Sequence, residues 1–370
     1  MLRSAQQPYS ALTPRSAQQP CLPAVIRGLL AAFALATLQG AETGTDPATD
    51  PSTTTSAAAV PVVAAAAVQS VATAKPAPRI MPVVSQTAPE NGLALFGPGI
   101  WVSPGTEVVF SGRLVFDQGP EDGLEVVAAL KASKLHETLT ELDTADALRV
   151  LTALIVAFGE PRDGVPPDSL SNLPPRGGPV DITLVWRTPS GSWNAIPVTS
   201  AIRDRHTDRA MVMVPGVYTG GALGTYQLPD GSGRVHQAPV LTQAGAVCAL
   251  YDEENGSPLA LAVPVPAEDK RWEANSAILP PVSTPIRLVV TRARALRAFA
   301  AADLQGPDFA AWFAGNPLGQ PASAVVQVSA NQPRETDREL QIRMLALAEQ
   351  RGAQFVPVFQ TIGGSEPAAR

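Results

Sequence analysis

Past Gly92 the chain is cut into short apolar runs, each bounded by Gly, Pro, Asp or Asn, and this punctuation confines most of it to strands joined by turns. Its source is compositional, since 37 prolines and 29 glycines fall within 370 residues. Proline removes a backbone donor and fixes φ, and glycine relaxes φ, so both interrupt regular elements. The 45% hydrophobic content still supports a core, which excludes wholesale disorder, and strict three-residue glycine spacing is absent, which excludes collagen. A net charge of -6 argues against a nucleic-acid partner, because such proteins need a concentrated basic surface.

Residues 108–116 and 124–130 read as strands, 181–187 and 193–198 as a hairpin around Pro189, Ser190 and Gly191, and 286–291 as a further strand. A second hairpin is expected from 246–251 and 259–263, because Asn255 and Gly256 between them tolerate the positive φ of a tight turn. One helix is well punctuated: Asp143 can cap it, Asp146 suits its positive end, and Gly159 with Pro161 stops it. Leu148, Val150, Leu151, Leu154, Ile155 and Phe158 cover nearly every face, with Arg149 the only charge, so this helix must be buried, against the sheet. Residues 161–179 read as a Pro- and Gly-rich loop.

The first 41 residues have the order of an export signal. Arg3, Arg15 and Arg27 are the only charges before Glu42, and 28–41 is an uncharged Leu, Ala and Phe stretch. A spanning helix needs about 20 apolar residues, so this stretch suits a signal peptide better than an anchor, although an uncleaved leader would keep the protein near a membrane. The sequence RSAQQP occurs twice here, at Arg3 and at Arg15. Residues 42–92 are a low-complexity linker of Ala, Thr, Pro, Ser and Val, which as a flexible chain spans about 40 Å. Together they predict a long disordered N-terminal region and an exported protein of the periplasm or cell envelope. Cys21 lies in the leader and Cys248 in the body, which excludes a disulfide scaffold and a four-thiolate iron–sulfur site, and Cys248 reads as a small buried apolar residue.

Residues 296–370 read as a small α/β unit of their own. Residues 324–328 are a strand, Thr336 and Glu339 make a capping box, Leu340, Met344 and Leu347 form a stripe at helical spacing, Gly352 ends the helix, and 355–359 is a second strand. The fold class expected is therefore α+β: a mostly antiparallel sheet with one buried helix, followed by a small βαβ-like unit.

Leu124 and Glu125, then Lys134, Leu135, His136, Glu137, Thr138 and Leu139, then an apolar helix ending in Ala157, Phe158 and Gly159, resemble the opening of the YdjY-domain family of bacterial envelope proteins. Later segments follow in the same order: 182–187, the turn Tyr218, Thr219, Gly220, Gly221, the stretch 246–264, Asn275, and Leu279, Pro280, Pro281 leading into 284–288. The likeness spans 93–295 and implies an exported domain of unknown biochemistry. Some members carry a ferredoxin-like label, which the cysteine count here contradicts. The family usually has a serine where Gly221 stands. The C-terminal unit is similar, in pattern only, to the periplasmic domains of the ExbD and TolR transport proteins.

Catalytic motifs are broken or absent. His136 and Glu137 begin a helical zinc-protease pattern, but Thr140 stands where its second histidine belongs. Three histidines remain, His136, His206 and His236, and if the fold gathered them with Glu137 they could hold a divalent metal such as zinc. On a strand, however, His136 and Glu137 point to opposite faces, which favours a structural His136 held by a buried hydrogen bond. His206 sits among Arg203, Asp204, Arg205, Asp208 and Arg209, read as a solvated charged loop rather than a polyanion site. The leading expectation is a non-catalytic binding or scaffolding module for an envelope protein or small ligand, with Lys134, Thr138 and Tyr218 as candidate binding residues. The alternative is a metal-dependent hydrolase or oxidoreductase using His136 and Glu137.

Overall fold

The computed structural model describes residues 83–161, 173–227, 235–251, 256–263, 270–316 and 321–362. The leader, the RSAQQP duplication, Cys21, Asn255 and most of the linker lie outside these residues; the linker's last ten residues, 83–92, are folded rather than disordered, since Val83–Ser85 pair as a strand with 193–195 and Glu90 binds Arg287. The described residues all fall within one compact unit, Ala74–Arg370.

Three short strands, β1 (Val83–Ser85), β2 (Ala94–Gly97) and β3 (Ile100–Ser103), lead into β4 (Glu107–Leu114), β5 (Val126–Ala129) and β6 (Thr138–Leu142). Helix α1 (Ala147–Phe158) follows, then β7 (Gly178–Arg187), β8 (Trp193–Pro197), β9 (Ile202–Asp204), β10 (Arg209–Ala210) and β11 (Gly216–Tyr218). Next come the antiparallel pair β12 (Leu223–Gln227) and β13 (Val235–Pro239), the single-turn helix α2 (Leu241–Ala244), then β14 (Ala246–Ala249), β15 (Leu259–Leu261), β16 (Trp272–Ala274) and β17 (Pro285–Arg292). The chain ends in β18 (Arg297–Ala300), α3 (Pro307–Ala314), β19 (Ala322–Ser329), α4 (Arg334–Gln350) and β20 (Phe355–Ile362).

The expected α+β fold, a sheet with one buried helix, is not what forms. Strand makes up 39% against 21% helix, four short helices are present among the described residues, and eight strands close into a mixed barrel. Its ring runs β7, β11, β15, β14, β5, β6, β4, β17 and back to β7. β17 is the closing strand: it pairs antiparallel with β4 on one edge, from Pro285 opposite Arg113 to Thr291 opposite Glu107, and with β7 on the other, from Ile286 opposite Trp186 to Arg292 opposite Val180. The physical reason for the error is that strand patterns specify faces, whereas closure depends on which distant edges meet.

Two barrel strands also branch. The second edge of β4 serves β3 along 107–110 and β6 along 112–114. Gly112 sits at the changeover, where a Cβ would lie 2.3 Å from the Glu141 carbonyl oxygen, so only glycine lets β6 approach there. β7 branches likewise, to β11 along 178–180 and β8 along 183–187. Inside and outside alternate with period two: Val108, Phe110, Ile182, Leu184, Trp186, Ile286, Leu288 and Val290 join the main core, while Val109, Val185 and Val289 face outward into a smaller cluster.

The stretch 246–263 departs from expectation most sharply. β14 and β15 are parallel neighbours, with Cys248 opposite Leu259, rather than arms of a hairpin. Every residue in both is buried, so neither run alternates between apolar and polar, and the Asn255–Gly256 pair alone could not dictate strand direction. Cys248 is fully buried, and burial pushes its thiol pKa up.

Helix α1 is capped by Asp146, whose carboxylate accepts the Arg149 N–H at 3.0 Å, and not by Asp143. Its stripe Ala147, Val150, Ala153, Leu154, Ala157 and Phe158 belongs to the barrel's own core. In the C-terminal unit β18, β19 and β20 run parallel, so a further strand and helix precede the strand–helix–strand expected. α4 starts at Arg334 behind Pro333 with no side-chain cap, which places Thr336 and Glu339 inside the helix instead of in a capping box. β20 faces two ways. Phe355 and Phe359 join a cluster with Phe299, Phe309 and Phe313, whereas Val356 and Val358 enter the barrel core. The buried Arg176 binds Asp337 of α4 in bidentate fashion, at 2.6 and 3.1 Å, and the Gly177 N–H donates to the Phe359 carbonyl.

Candidate functional site

The Lys134 to Glu137 segment is a tight turn ahead of β6, so the opposite-face argument that holds on a strand does not apply to it. Ala132 and Lys134 both adopt left-handed φ, 61° and 46°, which costs a non-glycine residue energy and needs support from its surroundings. That support is specific. The buried Glu141 carboxylate accepts the Ala132 N–H at 2.8 Å and pairs with Arg113, and the Thr138 hydroxyl donates to the Lys134 carbonyl. Lys134 Nζ lies 2.9 Å from Glu137 Oε1, and His136 Nε2 lies 3.7 Å from Glu137 Oε2.

The turn therefore brings Lys134, His136 and Glu137 around one carboxylate. Because they precede the strand, His136 and Glu137 are not held on opposite faces, and the expectation of a buried structural histidine fails: the His136 side chain is 73% exposed. Thr138 is fully buried with its hydroxyl committed to backbone. Tyr218 serves elsewhere. It is buried on β11, its hydroxyl donates to the Gly159 carbonyl at 3.1 Å, and its ring lies 5.4 Å from Phe158, so it ties the end of α1 to the barrel. Burial, aided by Glu160, pushes its phenol pKa up.

The other histidines lie on other elements. His206 is exposed in the β9–β10 turn, and His236 is on β13 opposite Tyr226. No group of three or more His, Cys, Asp or Glu side chains suited to a metal occurs among the described residues. In the Arg203–Arg209 stretch residues 206–209 are exposed, as expected of a solvated charged loop, but residues 203–205 are held by ion pairs. Arg203 and Arg205 share Glu273 at 2.6 and 3.0 Å, Arg203 also meets Asp208 at 2.7 Å, and Arg271 binds Asp204 at 2.8 Å. Burial pushes the Asp204 carboxyl up, but the His206 and Thr207 amides with Arg271 outweigh it and hold the group below the usual carboxylate range.

A feature that sequence reasoning missed lies on the outer face of the barrel. Residues 86–93 cross from β1 to β2 over the cluster of Val109, Val185 and Val289, joined by Trp101, Trp193 and Leu93. Arg287 lies over both indoles, 5.2 Å from Trp101 and 6.0 Å from Trp193, and pairs with Glu90 at 3.0 Å. Beside this strap opens a groove of about 580 Å³, with Leu95 and Trp101, cross-strand neighbours on β2 and β3, among its lining. Leu95 is 68% exposed, and β2 ends its sheet with one edge unpaired among the described residues. The signal was available: Gly97, Pro98 and Gly99 between two apolar runs spell a hairpin.

Fold and surface together define a closed mixed barrel with an external aromatic groove and an appended parallel sheet. Among known proteins no family model, no curated sequence and no solved structure matches the chain. Among the described residues no helix is long and apolar enough to cross a membrane.

Proposed function

We propose that this is an exported, envelope-associated binding or scaffolding module without catalytic activity, and that 93–295 is a YdjY-like domain. The leader and the linker support export and tethering; with 83–92 taken up by β1 and the strap, residues 42–82 as a flexible chain would reach about 35 Å and hold the body off a membrane surface. The observation that carries the binding role is the open groove on the barrel's outer face, lined by exposed side chains on a rigid scaffold. Fractionation of the native host with N-terminal sequencing tests it. The expected result is envelope or periplasmic protein with a shortened N-terminus or membrane retention; full-length protein in the cytosol with its N-terminus uncut would overturn it.

A second reading draws on the exposed His136 beside Glu137: a metal-dependent hydrolase or oxidoreductase in which His136 would be a ligand to a divalent ion such as zinc, the ion would supply an activated water, and Glu137 would be the general base. Lys134 opposes it by already pairing with that carboxylate. Protein purified without chelator would carry about one equivalent of metal and lose it on His136→Ala; metal-free protein with undiminished heat stability would end this reading.

A further inference from the structure

The groove beside the strap has a chemistry that narrows its ligand, and the inference rests on the binding-module reading above. Its strap side presents uncharged hydrogen-bonding groups on exposed residues: the Asn91 carboxamide, the Thr87 hydroxyl and the Gln86 carboxamide, whose nitrogen donates to the Ser192 hydroxyl at 3.0 Å. Its β2–β3 side presents apolar surface, the Leu95 side chain and the Trp101 indole. The one charged lining residue, Glu90, is paired with Arg287 at 3.0 Å, so the groove offers no free charge to an ionic ligand. A ligand that fits must be neutral, rich in hydroxyl or amide groups along one side, and bear C–H surface able to lie on an indole or a leucine.

We propose that this groove binds an uncharged oligosaccharide. A pyranose ring has that two-sided character: its axial C–H groups stack on an aromatic face while its equatorial hydroxyls reach polar side chains. N-acetylated sugars fit best, because an acetamido N–H can donate to Gln86 Oε1, whose nitrogen already donates to Ser192, while the acetamido carbonyl accepts from the Asn91 carboxamide. The volume of about 580 Å³ lies within the roughly 300–1,000 Å³ of pockets that hold small ligands. Arg287, lying over Trp101, holds the indole in place and so keeps the groove preformed.

The experiment is calorimetric titration of the full chain with the β-1,4-linked trimer of N-acetylglucosamine, and separately with an extended apolar hexapeptide. The expected result is saturable sugar binding with Kd of about 1 mM or tighter, weakened at least about tenfold in the double variant Gln86→Ala/Asn91→Ala and in Trp101→Ala. Trp101→Ala could disturb the Arg287 stack, so the double variant, confined to exposed strap residues and checked for an unchanged melting temperature, decides. Sugar binding that never saturates, or that is unchanged in the double variant, overturns the proposal. Binding of the peptide alone also overturns it, assigning the surface to strand addition at β2. Failure of sugar binding in a protein that still fractionates with the envelope leaves the module reading standing, whereas a cytosolic protein that binds the sugar sinks that reading alone.

Discussion

Replacing Asp337 with alanine removes the carboxylate that neutralises Arg176, and both groups are nearly or wholly buried, 6% and 0% exposed. In the native protein Asp337 takes the Arg176 Nε–H at 2.6 Å, one Nη2–H at 3.1 Å and the Gln332 Nε2–H at 2.8 Å. After truncation the guanidinium keeps only its bond to the Gln332 carbonyl at 2.9 Å, which satisfies one donor and none of the charge. Removing one partner of a buried pair costs about 3–5 kcal/mol, because the other is left charged and unsolvated. The double replacement Arg176→Met/Asp337→Leu removes both charges and fills both volumes, so it should cost less than about 1.5 kcal/mol, a coupling of at least about 2 kcal/mol between the sites. Urea titrations of the wild type, both single variants and the double variant, followed by tryptophan fluorescence, give the four free energies. Trp312 lies within the aromatic group of the C-terminal unit and reports its loosening. A loss below about 1 kcal/mol in Asp337→Ala, or a double variant as unstable as the two single losses added together, would refute the claim that the pair acts as a buried ionic latch.

Other consequences are simpler to check. Tyr218→Phe keeps the ring against Phe158 but leaves the Gly159 carbonyl unpaired, and thermal melts should show a loss of about 1–2 kcal/mol. Gly112→Ala drives a methyl against the Glu141 carbonyl and should cost at least about 2 kcal/mol or prevent soluble expression, whereas the same change at Gly178, where a Cβ meets nothing within 4 Å, should leave soluble yield and melting temperature nearly unchanged. Because the folded-state pKa of Asp204 is lowered, its contribution is present above the unfolded carboxylate value of about 3.9 and is lost as pH falls through the lowered value. Acid titration of stability should therefore fall less steeply in Asp204→Asn than in the wild type. In a Cys21→Ser background, maleimide should label Cys248 only as fast as the protein unfolds, since its thiol is buried and held protonated.

The candidate site was legible in part. Lys134, His136 and Glu137 stand out as reactive side chains close in sequence, and the turn does gather them, but their sequence says nothing of the left-handed residues that curl the chain or of Glu141 reaching back to hold it. Tyr218 was visible as an aromatic before two glycines. Its task, closing the end of α1, depends on a residue 59 positions away. Arg203, Asp204 and Arg205 looked solvated because their partners Glu273 and Arg271 lie nearly seventy residues downstream.

What the sequence alone determined was local. Gly and Pro punctuation set the lengths of the strands, the apolar run from Ala147 to Phe158 marked a helix, of which only one stripe is buried while Leu148, Leu151 and Ile155 stay half-buried, and alternation along β4 and β17 assigned one face to a core. Direction and closure belonged to the tertiary structure. Hydrogen-bonding edges carry the same backbone groups whatever the side chains, so nothing within 285–292 names β4 and β7 as its two neighbours, and nothing within the fully buried runs of β14 and β15 distinguishes parallel from antiparallel. Those choices are made when all the apolar faces are buried at once, and a ring of eight strands is the arrangement in which β17 leaves neither of its edges open.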